Sequence, residues 1–110
     1  METLIKIFKA VGLPFAYDHF AEGESPEPPF ICYLTPSSDN FAADGQVYFK
    51  IDDYHIELYT DFKDLAVEAK LEEALDAASI FYNKSETWIE SEKLYEVLYQ
   101  FELEVNYNGE

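Results

Sequence analysis

The chain has a single cysteine in 110 residues, which allows no internal disulfide and fits a reducing compartment. Its four glycines, Gly12, Gly23, Gly45 and Gly109, are too far apart to build a phosphate-cradling loop. No nucleophile elbow is present either. Positive charge is scarce: 7 Lys plus Arg stand against 23 Asp plus Glu, a net charge of -16. Such a surface cannot neutralise a run of phosphates, so sequence-reading nucleic-acid binding is not expected. An anionic membrane would repel it for the same reason. No apolar run approaches the ~20 residues of a membrane span, and the N-terminus has no basic segment leading into a long apolar one. These absences lead to the expectation of a soluble protein made in a cytoplasm.

What the chain does have is aromatic residues, 17% of the total, within a hydrophobic fraction of 48%. Disorder requires low hydrophobicity together with high charge, and only the charge is present. A chain of this length makes one domain, residues 1–110, with one core.

The organising stretch is residues 44–78. Val47-Tyr48-Phe49-Lys50-Ile51 and Tyr54-His55-Ile56-Glu57-Leu58-Tyr59-Thr60 are β-branched and aromatic with period-2 alternation, and Asp52-Asp53 between them reads as a turn. After Asp61 the composition becomes Ala, Leu, Glu and Lys, the strongest helix formers. The stripe Val67, Leu71, Ala74, Leu75 and Ala78 predicts a helix lying on the sheet, with Glu68, Glu72, Glu73 and Asp76 turned away. A strand pair thus feeds the helix that covers it.

Upstream, residues 3–11 predict a short helix with Leu4, Ile7, Phe8 and Val11 on one side and Thr3 as cap. Gly12 suits a left-handed C′ residue and Pro14 forbids continuation. Residues 21–29 are a loop; residues 30–35 are a strand ended by Pro36. Residues 36–45 read as a second long loop carrying Phe41 in a polar setting, a candidate contact loop with Asp39, Asn40, Phe41 and Asp44 as contacts.

Downstream, residues 94–105 alternate. Tyr95, Val97, Tyr99, Phe101, Leu103 and Val105 share one face; Glu96, Leu98, Gln100, Glu102 and Glu104 share the other. Such a strand extends about 40 Å, beyond what a small domain covers, so it bends at a bulge or leaves the body to meet a neighbour. A helix over residues 86–98 competes, since Leu94, Leu98 and Phe101 also fit its period, but the aromatic and β-branched content favours strand. Residues 80–89 are the expected hairpin partner.

Chemistry is harder to find. Cys32, between Ile31 and Tyr33, reads as a buried thiol. His19 beside Asp18 and His55 near Asp53 could join in a metal site, but with 23 acids some acid near each histidine arises by chance. Paired carboxylates such as Glu102/Glu104 and Glu57/Asp61 are diluted in the same way, and a solvated face is the stronger reading. Nothing here argues for an enzyme, a metal or a cofactor.

Several runs taken in order carry a resemblance: Pro29-Phe30-Ile31-Cys32-Tyr33-Leu34, Asn40-Phe41-Ala42-Ala43-Asp44, Tyr54-His55-Ile56-Glu57-Leu58-Tyr59-Thr60, Lys63-Asp64, Trp88-Ile89-Glu90-Ser91-Glu92 and Leu94-Tyr95-Glu96-Val97-Leu98-Tyr99-Gln100-Phe101. Over residues 13–107 the chain resembles tail completion or tail terminator (head–tail joining) proteins of tailed phages and prophages of Gram-positive bacteria. That resemblance implies an α+β fold, two helices packed on a mainly antiparallel sheet of about five strands. It also implies a virion structural protein forming a ring, commonly a hexamer, between the tail tube protein and the neck or connector protein. The implied location is the host cytoplasm during assembly and then the tail–neck region. A ring of six would carry about 96 negative charges (6 × 16), so its assembly should be weak at low salt. A second class of reading is a small acidic inhibitor that mimics DNA, with Glu96, Glu102 and Glu104 offered to a basic groove.

Overall fold

A computed structural model describes residues 2–43 and 46–105. Helix α1 (Glu2–Val11) ends where Gly12, at φ 82°, donates to the Phe8 carbonyl at 3.0 Å, as expected of a glycine C′ residue. Strand β1 (Phe15–Tyr17) is short and parallel to β2 (Phe30–Ala43), with residues 18–29 as the connection. Then follow β3 (Gln46–Thr60), α2 (Leu65–Ala77), β4 (Asn83–Ile89) and β5 (Leu94–Val105). The sheet order is β1-β2-β3-β5-β4, and every pairing except β1–β2 is antiparallel. The fold is therefore α+β, with two helices and a five-stranded mixed sheet.

Helix α2 starts at Asp64, whose carboxylate accepts from the Val67 N–H at 3.1 Å. Its far end has no glycine; Ser79 takes the left-handed conformation (φ 58°) and Ile80 donates to the Leu75 carbonyl at 3.0 Å. Ile80 is buried, and that burial compensates for a non-glycine residue at positive φ.

Both helices lie on one face of the sheet. Leu4, Phe8, Leu71 and Leu75 meet Ile31, Ile56, Leu58, Val97 and Tyr99 in one cluster, all with 0% exposure. An aromatic group of Phe8, Phe15 and Tyr33 closes the α1 end, with centroids 5.1 to 6.4 Å apart.

Two expectations about turns and strand ends need correction. Asp52-Asp53 is not a turn, because β3 runs unbroken through both residues. Each is paired on both sides, Asp52 with Ser38 and Leu103, Asp53 with Ser37 and Glu102. Continuous ladders override the local turn preference of aspartate. Pro36 likewise does not end β2. Thr35 and Pro36 together oppose Tyr54, a bulge that absorbs the missing proline N–H. The Thr35 N–H there donates to the Tyr17 hydroxyl at 3.2 Å.

Leu103 on β5 still packs against the buried cluster, and beyond it, with Asp52 on β3 and Ser38 on β2, the three strands continue as an arm. The molecule measures 50 × 29 × 23 Å, and its radius of gyration is 15.3 Å, against about 13 Å for a compact chain of this length. The β3–β5 register is continuous from Lys50↔Val105 to Thr60↔Tyr95, so β5 leaves the body without a bulge.

Candidate interaction surface

The sheet face opposite the helices carries a set of carboxylates. Alternation and register put Asp53, Glu57, Glu96, Glu102 and Glu104 on it. At the β1 end the connection returns over this face, and Phe20 packs edge-on against Phe30, which stacks on Tyr59. The Tyr59 hydroxyl lies 3.1 Å from Glu57 Oε1 and 3.2 Å from Glu96 Oε2. One proton cannot serve two carboxylates at once. Burial, with the neighbouring Glu96 charge, pushes the Glu57 carboxyl above its usual range despite the bond from Tyr59.

A carboxyl whose folded value is raised favours the fold when protonated, and that benefit is lost as pH rises past the ordinary carboxylate range. Glu57→Gln keeps an acceptor for Tyr59 and removes the charge. It is expected to raise the melting temperature at neutral pH by about 4 °C, the shift that about 1 kcal/mol gives. The gain should disappear at pH 4; a gain independent of pH would refute the electrostatic explanation.

The residues predicted as contacts are placed differently from the expectation. Asp39, Asn40 and Phe41 belong to strand β2, paired with Ile51, Lys50 and Phe49, and not to a loop. Phe41 is in backbone register with Phe49 on β3, a pairing that a reading of Ser37-Ser38-Asp39-Asn40 as loop composition hides. Asp44 lies outside the described residues. Glu102 and Glu104 are exposed on β5. Asp39, Ile51 and Glu104 form one row across the arm, so three separate segments converge there.

On the helix side the structure reveals a group that periodicity misplaced. Glu68 is 1% exposed and does not face away from the sheet. Its carboxylate lies 2.6 Å from Lys63 Nζ and 2.8 Å from Lys84 Nζ. Lys84 also reaches Glu72 at 2.8 Å, and Glu72 accepts from the fully buried Tyr99 hydroxyl at 2.7 Å. Lys63 continues to Glu86 on β4. Burial opposes both carboxylates, but the bonds from Lys63 and Lys84 to Glu68, and from Lys84 and Tyr99 to Glu72, hold both below the usual range. Charge scarcity was the available signal: two of so few lysines flank α2, within reach of its acids. Ala78, expected in the apolar stripe, is exposed.

Cys32 is buried, and burial followed by the charges of Glu57, Asp18 and Glu96 pushes its thiol up to about 11. At neutral pH it is therefore protonated and a poor nucleophile. His19 is exposed on Asp18, while His55 lies half-buried 3.3 Å from Asp53. Among the described residues no three His, Cys, Asp or Glu side chains are grouped as metal ligands. No described helix is long and apolar enough to cross a membrane.

The fold and surface define a small α+β protein with a projecting three-stranded arm and one acidic sheet face. No protein-family model matches the chain, and no curated protein matches it.

Proposed function

We propose that this protein is a structural subunit of a tailed-phage or prophage particle, a tail completion or tail terminator protein that forms a ring at the tail–neck junction. The observation that carries the reading is the arm formed by β2, β3 and β5, which extends beyond the core. A set of strands that extends beyond the core is what a subunit offers its neighbours. The ordered resemblance of residues 29–34, 40–44, 54–60, 63–64, 88–92 and 94–101 supports the same class. Its partners are further copies of itself, the tail tube protein and the connector protein. It is made in the host cytoplasm and ends in the virion.

The test is the mass in solution as salt is raised from low to molar concentration. Salt screens the charge that opposes association, about 3 Å being the screening length at 1 M. A discrete oligomer is expected to appear with salt, and Phe41→Ser is expected to weaken it while leaving the monomer folded. A monomer at every salt and protein concentration, with no capture of tail tube or connector protein, refutes the ring.

One observation favours a second reading. Glu96, Glu102 and Glu104 do share the open face with Asp53 and Glu57, as an inhibitor that mimics DNA would need. Tight binding to a basic nuclease, with no oligomer, would select it.

A further inference from the structure

Strand β4 begins at Asn83, opposite Gln100, while its neighbour β5 continues to Val105. Among the described residues, no strand pairs with the outer edge of β5 from Phe101 onward. No described strand takes up the backbone donors and acceptors along that edge, the kind of edge to which another chain can add. A cleft of about 360 Å³ lies where β4 stops, lined by Asp53, Phe81, Asn83, Gln100, Phe101 and Glu102. Phe81 at this cleft is 92% exposed, the most exposed large hydrophobic residue described.

The two sides of the edge differ in chemistry. Phe101 points to the helix side, and Glu102, with Asp53 beside it, points to the open side. A strand added here in line with β4 would set alternate residues against these two surfaces. Cationic side chains would meet Asp53 and Glu102, and apolar ones would meet Phe101 and Phe81. No lysine lines the cleft.

The chain itself cannot supply that strand. Its positive residues are lysines at 6, 9, 50, 63, 70, 84 and 93, and no two are on alternate positions. Edge-to-edge pairing of two copies would bring Glu102 and Glu104 against their own counterparts, which like charges oppose. The acids guard the edge against self-association and leave it open to a basic partner.

We propose that the free edge of β5 at Phe101–Leu103 is a docking site for an extended segment of another protein, one with alternating cationic and apolar residues, bound by strand addition. This goes beyond the ring reading, which assigns no strand edge to a partner of other sequence.

The experiment uses the full-length protein at low salt and a short capped peptide of alternating lysine and valine, with a lysine–proline peptide of equal charge as control. Affinity is read by calorimetry and the location by amide hydrogen exchange. The lysine–valine peptide should bind and slow exchange at residues 102–104. The control, unable to complete a ladder, should bind about tenfold more weakly. Glu102→Lys should lower affinity for the lysine–valine peptide about tenfold, Phe81→Ser should also lower it, and Glu92→Lys in the β4–β5 turn should leave it near wild type. Equal binding of the two peptides would reduce the effect to unspecific charge and overturn the proposal, as would protection away from β5. Neither outcome bears on whether copies of the chain form a ring.

Discussion

Lys84→Met is expected to destabilise the protein by about 3 kcal/mol, because it leaves buried carboxylate charge short of a partner. Lys84 is the only lysine that reaches both Glu68 and Glu72 among the described residues, at 2.8 Å each. Glu68 keeps Lys63 in the variant, and Lys84 is itself 36% exposed, so the figure stands at the lower end of what a broken buried pair costs. In a domain of this size the melting temperature should fall by about 12 °C. Glu68 and Glu72 have lowered folded values, so the stability they add is present above the ordinary carboxylate range and lost as pH falls through the folded values. Lys84 is raised by its bonds to both acids, so its share is present below the ordinary lysine value and is lost as pH rises through the folded value. The stability gap between the variant and wild type should therefore narrow as pH falls through the carboxylate range, because the contribution lost there is the wild type's. Adding Glu68→Leu to Lys84→Met should recover much of the loss, since an apolar side chain carries no desolvation cost. A single variant within 0.5 kcal/mol of wild type, as surface changes typically are, would show that the pair is solvated and structurally idle.

Phe8→Ala is expected to cost about 4 kcal/mol, the largest effect of any change considered. Phe8 is 0% exposed, and its ring centroid lies 5.3 Å from Phe15 and 5.1 Å from Tyr33. The truncation removes apolar burial and opens a cavity between α1, β1 and β2, where neither β1, of three residues, nor a helix of ten is stable alone. Total stabilities of small domains are about 5–15 kcal/mol, so the variant would sit near the threshold of unfolding. Denaturant titration measures it, with Lys9→Ala on the exposed side of α1 as a control expected within about 0.5 kcal/mol. A loss below about 1 kcal/mol would mean that α1 does not seal the core.

Much of the architecture was readable from short-range pattern. Gly12 and Pro14 marked the end of α1, the Ala/Leu/Glu/Lys composition marked α2, and the alternation of residues 94–105 marked β5 with the correct face. These signals are local and repeat over many residues, so no single contact is needed to decide them. The length of β5 already implied a strand that bends or leaves the body, but the parts of the arm on β2 and β3 were not readable. Asp52-Asp53 and Pro36 are turn and breaker residues by local preference, and only pairing with strands distant in sequence keeps them in a ladder. Of the expected contact residues, Glu102 and Glu104 lie on the exposed edge region, but Asp39, Asn40 and Phe41 had to be reassigned from loop to strand.

The sequence by itself determined the class of fold, the two helices and the acidic character. Only the tertiary structure decided where the charges stand. Glu68 repeats at a spacing that reads as solvent-facing, yet Lys63 and Lys84 arrive from either side of α2 and make its burial tolerable. The free edge of β5 is likewise a difference between two strand lengths, Asn83–Ile89 against Leu94–Val105, and their register. Neither strand contains that information alone, because an edge is defined by the partner that stops short.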